Sequence, residues 1–394
     1  MKNKMRKNNL DKINQDSGKT SIRRSVLESV KIGALTILAC LATNVSAQVW
    51  VPDSRKVVIE GTTLTQVDTE TLSSTAANEI GAAEKMAFSG LGSVQSIAFS
   101  PKDASIAFVS NDGKLMLASS LTSTTPKQLE INIVSPVVWS PDGKFIGCVR
   151  SVDKGGLEYR SISVEGGVSA KTALPFTKLS LGSKSIAWIP MTDNVVLAGG
   201  DGVKSDLYLI EQGAVVPLTM NGQVQGYGVS AKGDIIRWAQ KSKNTHVVLT
   251  TLYDTSISLR TAAKLDFPDK VTGVNSTPAG SVDNVSYVVF SPDLNRIVFS
   301  ASAGSGESTV SSLWSSDIIG SAMQIQGRKY MKKTVVKQTN SETMVTALPE
   351  KTALPNFSPD GKWLAYLLVE GGQKSIFVFD PIGSAKKAGV LVKE

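Results

Sequence analysis

Seven times along this chain a short apolar strand runs into a tight turn and back out into a second apolar strand, and that recurrence restricts the fold more than any other feature. The clearest copy is Phe357-Ser358-Pro359-Asp360-Gly361-Lys362-Trp363-Leu364-Ala365-Tyr366. Pro359 presets φ for the turn, the Asp360 carboxylate is placed to accept backbone hydrogen bonds locally, and Gly361 takes a φ > 0 position that strains other residues. Trp139-Ser140-Pro141-Asp142-Gly143-Lys144-Phe145-Ile146 is a near match, Phe99-Ser100-Pro101 and Phe290-Ser291-Pro292-Asp293 open two more, and imperfect copies open at Trp50, Trp188 and Val229. At Pro52, Pro101, Pro141, Pro190, Ala231, Pro292 and Pro359 the intervals are 49, 40, 49, 41, 61 and 67 residues. A period of roughly 40–50 residues with four strands per unit is that of a β-propeller blade.

The rest of each unit agrees. A third strand follows the hairpin, as in Lys114–Ala118, Asp206–Ile210 and Ser375–Phe379, and Asn111-Asp112-Gly113 is a strong turn signal before the first of these. A fourth, more polar strand comes next, as in Pro126–Glu130 and Val215–Thr219, which suits the solvated outer edge of a blade. The 33 glycines and a 41% apolar content fit short strands joined by many turns. The expected fold is therefore all-β: a β-propeller of four-stranded antiparallel blades. Seven copies predict seven blades. The first has only Gln48-Val49-Trp50 for its innermost strand, so the alternative is six full blades with Val57–Glu60 and Leu64–Thr71 serving ring closure.

Residues 1–47 read as a removable export signal, leaving 48–394 as one propeller domain. A polar, basic start leads into the apolar run Ile32–Ala42, too short for the ~20 residues that span a bilayer, and Val45-Ser46-Ala47 places small residues where a signal peptidase cuts, before Gln48. Arg23-Arg24-Ser25-Val26-Leu27 resembles the twin-arginine motif, with general secretion as the other route. Ile37-Leu38-Ala39-Cys40 resembles a lipoprotein box, so lipidation at Cys40 is the alternative to cleavage after Ala47. After that cleavage Cys148 is the one cysteine left, and no intramolecular disulfide can form. The expected location is periplasmic or secreted. The leader holds nine Lys/Arg against three Asp/Glu, so it carries six of the eight net positive charges. With the folded part nearly neutral, nucleic acid loses its electrostatic argument as a partner.

The pattern Phe/Trp-Ser-Pro-Asp-Gly-Lys-x-Ile/Leu-Ala, followed by a strand ending in Asp, resembles the TolB-like, WD-repeat-like propeller repeat of bacterial envelope proteins. The resemblance runs from about Trp50 to the end, strongly at four copies and weakly at three. It implies a propeller of the cell envelope. The N-terminal domain of TolB has no counterpart between Gln48 and Trp50, so the role in its envelope-spanning assembly does not carry over with the repeat.

Candidate chemistry is sparse. His246, in Thr245-His246-Val247-Val248-Leu249, begins a third strand and reads as structural. No Gly-x-Ser-x-Gly elbow is present, and one His with one Cys cannot make the usual zinc sets. Asp53, Asp142, Asp293 and Asp360 occupy equivalent turns and mark turn geometry, although carboxylates from separate blades converging in the channel would suit an oxygen-ligated ion. Cys148 reads as an inert core residue and the tryptophans at the hairpins as blade packing. No catalytic residue, metal ligand or cofactor is assigned. The run Arg328-Lys329-Tyr330-Met331-Lys332-Lys333-Thr334-Val335-Val336-Lys337 has five positive charges and no acid; it is either a solvated outer strand or a partner-facing segment. The expected function is a non-enzymatic envelope module that binds a protein or peptide. The alternative is a channel enzyme such as a metal-assisted hydrolase or lactonase.

Overall fold

The computed structural model describes residues 48–74, 81–220, 222–243, 248–256, 262–265, 285–303, 310–317, 327–330, 355–370, 373–380 and 386–391, all in one unit, Val45–Glu394. The leader, Cys40, His246 and residues 267–281 and 331–354 lie outside them.

The described strands form seven sheets, one per hairpin copy. In the second sheet Val94–Phe99 pairs with Ile106–Ser110, then Leu115–Ala118, then Lys127–Glu130, each antiparallel to the last. The first sheet is complete as well. Gln48–Trp50, Lys56–Ile59, Leu64–Asp68 and Lys85–Phe88 lie in that order, the short innermost strand being the one its sequence allows. The first copy also serves closure: on its way to Lys85, Ser73–Ser74 and Gly81–Ala82 add to the outer strand Lys386–Leu391 of the seventh sheet.

Middle strands bury both faces because each sheet packs between two others. Ile106–Ser110 is buried at its first four residues and Val195–Gly200 at its first five, whereas Lys127–Glu130 begins with two exposed residues. Every junction of the ring has its own contacts. Val58, Leu64, Ile97 and Phe108 join sheets one and two; Val109, Ile146 and Cys148 join two and three; Val149, Tyr159, Phe176 and Leu197 join three and four; Ile189, Leu209, Tyr227 and Trp238 join four and five. Val289, Phe357 and Tyr366 join six and seven, and Trp50, Val57, Leu367 and Ile376 join seven to one. Between five and six the inner strands approach so closely at Gly226 that a Cβ there would overlap the Val288 carbonyl. Fully burying a side chain such as Phe108 or Ile146 stabilises by ~1.5–3 kcal/mol, and dozens of these stand against the chain entropy.

The hairpin turn is a repeated hydrogen-bonded device. Ser140 Oγ donates to Asp142 Oδ1 at 2.7 Å and accepts from the Phe145 amide at 2.9 Å, while Asp142 Oδ1 accepts from the Lys144 amide at 3.1 Å. Ser358 and Asp360 repeat this at 2.6, 3.0 and 3.1 Å, as do Ser291 and Asp293 at 2.5, 2.9 and 3.1 Å. Gly143 and Gly361 hold φ of 73° and 72°. Where glycine is lost, Leu294 and Ser54 still take φ of 58° and 60°, so the hydrogen bonds and packing override the cost of a left-handed residue. No helix among the described residues is long and apolar enough to cross a membrane.

Candidate functional site

Antiparallel connectivity sorts the loops onto two faces. Hairpin turns such as 140–143 and 358–361 lie on one. The turns between second and third strands, together with the connections into each innermost strand, lie on the other.

Near that second face the innermost strands leave regular pairing at a shared place. The ladder slips around Gln95, Gln225 and Ser286, each four residues before its hairpin's opening residue, Phe99, Val229 or Phe290. In the third sheet the Val149 amide donates to Ser135 Oγ at 2.7 Å, again four residues before Trp139. The fourth sheet enlarges the irregularity. The Ser180 amide donates to the Ala198 carbonyl and the Ala198 amide donates to the Ser185 carbonyl, so the four residues Leu181–Lys184 loop out of the innermost strand. Leu181 and Gly182 turn the chain with φ of 63° and 54°, and Ser180 Oγ lies 2.6 Å from Ser205 Oγ of the adjoining turn.

This excursion carries Lys184 across the ring. Its Nζ donates to Asn356 Oδ1 at 2.9 Å, although Asn356 belongs to the innermost strand of the seventh sheet, which does not adjoin the fourth. The Asn356 amide is fixed from its other side, where Nδ2 donates to the Gln48 carbonyl at 3.5 Å. Gln48 Nε2 in turn donates to the Ala365 carbonyl, and Trp50 Nε1 to the Asn356 carbonyl at 2.9 Å. Lys184 is half-buried, and burial holds its amine below the ordinary lysine range. One residue on, the Ser185 hydroxyl is buried with no hydrogen-bond partner. An ammonium has three N–H donors, and Asn356 Oδ1 takes one of them.

Around the same face stand Ile131, Val134, Val203 and Met220, exposed by 43%, 49%, 90% and 87%, on sheets two to four and their connections. The opposite face carries Met191, in the Trp188–Val195 turn.

Other charged groups serve the ring itself. Glu130 accepts from Arg160 and lies 3.5 Å from Arg150, while Arg160 Nε reaches Glu158 at 2.7 Å, tying sheet two to sheet three. Arg237 grips Asp254 through two bonds of 2.5 and 2.7 Å and also donates to the Leu294 carbonyl of the next sheet. Asp142, Asp293 and Asp360 are held in their turns as described, and Asp53 accepts from the Arg55 amide at 2.9 Å. Among the described residues no three His, Cys, Asp or Glu side chains lie close enough to share a metal ion. Cys148 is buried between sheets two and three, and burial pushes its thiol up to about 12. Of the basic run, Arg328 and Lys329 lie in the outermost strand of the sixth sheet, Gly327–Tyr330, opposite Ser315 and Trp314; Lys332, Lys333 and Lys337 lie outside the described residues. Lys184 and Asn356 carried no sequence signal of their own, but Lys184 occupies the same position before Trp188 that Gln95 and Ser135 occupy before Phe99 and Trp139.

No family model matches the chain, and no curated protein does. Among solved structures it is similar to an oligogalacturonate lyase in complex with manganese, at 13% identity over 88% of this chain and 89% of that one, with a TM-score of 0.51. It is also similar to the tricorn protease, at 11% identity over 89% of this chain and 35% of that one, TM-score 0.50. TolB from Acinetobacter baumannii aligns at 12% identity over 88% and 79%, TM-score 0.42. At such identities the likeness concerns architecture, and the chain is a β-propeller.

Proposed function

We propose that this chain is an exported propeller of the cell envelope, delivered to the periplasm or beyond by a leader removed after Ala47, and that it binds a protein or peptide partner on the face opposite the Ser-Pro-Asp-Gly turns. The observation that carries this reading is the set of exposed apolar side chains on that face, Val203 and Met220 above all. Isolated surface apolar residues need no explanation, whereas a group sharing one face is characteristic of an interaction surface.

Photo-crosslinking in intact cells tests it. A benzophenone side chain at Val203 or Met220 should yield a discrete adduct, identified by mass spectrometry, that the same probe at Met191 does not. Equal labelling from both faces, or none from either, would contradict the reading. The basic run is a second proposed contact, and changing Lys329, Lys332, Lys333 and Lys337 to Glu should abolish salt-sensitive recovery of that partner.

A channel enzyme is the other reading, and the lyase likeness is what favours it. Cleavage of oligogalacturonate by the purified chain in the presence of manganese would establish it.

A further inference from the structure

We infer that the bond after Ala47 is cut before the ring closes, so that the chain crosses the membrane unfolded, by general secretion and not by the twin-arginine route. This rests on the leader proposed above and adds the state of the chain in which that leader is removed. The residue on the far side of the proposed cut is Gln48, the first residue of an innermost strand, and it is 3% exposed. Its strand pairs antiparallel with Lys56–Ile59, Gln48 opposite Ile59 and Trp50 opposite Val57. The other cover comes from the far end of the chain. Gln48 Nε2 donates to the Ala365 carbonyl at 3.2 Å, the Gln48 carbonyl accepts from Asn356 Nδ2 at 3.5 Å, and Trp50 Nε1 donates to the Asn356 carbonyl at 2.9 Å. Trp50 is itself buried and packs with Ala365, Leu367 and Ile376. A peptidase takes its substrate as an extended segment on both sides of the scissile bond, and it cuts readily where that backbone is exposed and unpaired. To present Gln48, Val49 and Trp50 in that form, the closed ring has to break those hydrogen bonds to the last copy and strip the innermost strand from the first sheet. Cleavage of the folded chain then runs only through that opened population. The same geometry leaves the site uncovered earlier. Ala365 and Asn356 lie 317 and 308 residues after Gln48, so the last copy covers the cut only once it has been synthesised and has crossed. The twin-arginine route delivers a domain already folded, with this bond closed off. General secretion delivers the chain unfolded and N-terminus first, with the bond open.

Processing of the purified full-length precursor by signal peptidase in detergent micelles tests this, read as initial rates. Precursor diluted from urea directly into the peptidase should be cut to a chain beginning at Gln48, identified by mass spectrometry of the new N-terminus. Precursor refolded first, with its near-UV circular dichroism restored, should be cut at least ~100-fold more slowly. A Gly-Ser spacer of about eight residues inserted between Ala47 and Gln48 should return the refolded precursor to within about threefold of the unfolded rate, because the cut then stands clear of the ring. In cells, the mature chain should form normally without the twin-arginine translocase, and precursor should accumulate when the general-secretion motor is inhibited. A refolded precursor without the spacer that is cut as fast as the unfolded one would overturn the order of events. Loss of the mature chain on removing the twin-arginine translocase would overturn the route. No cut after Ala47 in any form, spacer variant included, would overturn the leader reading itself and this inference with it.

Discussion

Trp50 donates its indole N–H to the Asn356 carbonyl oxygen at 2.9 Å, the same bond that Trp139 makes to Ala98 at 2.9 Å. In both cases the acceptor is the residue before the opening aromatic of the neighbouring hairpin, Phe357 in one and Phe99 in the other. This contact joins the second copy to the third, and it also joins the first copy to the last. Trp50→Phe and Trp139→Phe should therefore cost similar amounts, about 1–2 kcal/mol each, read as shifts in the urea midpoint. A loss at Trp139 with none at Trp50 would mean that the two junctions are not equivalent.

Two glycines with similar backbone conformation separate strain from contact. Gly213 has φ of 80° with nothing within 4 Å of a Cβ, whereas Gly233 has φ of 69° and a Cβ there would overlap the Pro190 carbonyl of the preceding sheet. Gly213→Ala should cost ~1 kcal/mol from the left-handed conformation alone. Gly233→Ala adds a backbone clash between sheets and should cost at least twice as much in the same unfolding measurement.

The turn carboxylates give the protein an acid-sensitive component. The Ser140 hydroxyl, and after it the Lys144 amide, hold the Asp142 carboxyl below its ordinary range. A depressed folded-state pKa contributes stability that is present above the unfolded value of ~3.9 and is lost as pH falls through the folded one. Ser140→Ala should move the Asp142 midpoint upward in a carboxyl-carbon NMR titration. The difference in Tm between parent and variant should shrink between about pH 4 and pH 2.

Cys148 supplies a probe of ring integrity. Thiolate is the reactive form, and a buried thiol raised to about 12 has almost none of it at neutral pH. In a chain lacking the leader cysteine, Ellman's reagent should react at pH 8 only as fast as the protein opens. In urea, release of one thiol per chain should be complete within minutes. Rapid labelling without denaturant would place Cys148 at the surface.

The ring was legible because its information is local and repeated. Each hairpin carries its turn chemistry in six or seven residues, and the Ser-Asp pair reads as a turn device from any one copy set beside its siblings. Cys148 and the hairpin tryptophans were legible for the same reason, as apolar positions in predicted strands. The axial site was not. Lys184 lies in Ser180-Leu181-Gly182-Ser183-Lys184-Ser185, which reads as an ordinary loop, and the strand resumes only after it. Its partner Asn356 is 172 residues away and becomes a neighbour only once the ring is closed. The double role of the first copy was hidden likewise, since Ser73–Ser74 is too short to announce a strand until Lys386–Leu391 presents an edge.

The most direct test of the closed ring is a cystine placed across that edge. Ser73 and Ala388 are antiparallel partners in the structure, and directly opposed residues have Cα separations of ~4.5–5.5 Å, within the range a disulfide spans. In a Cys148→Ser background, Ser73→Cys with Ala388→Cys should oxidise to an intramolecular disulfide in nearly every molecule. Mass spectrometry of the digest should then show the 73- and 388-containing peptides linked. Free thiols after mild oxidation, or linkage only between separate chains, would contradict a ring closed by its first copy upon its last.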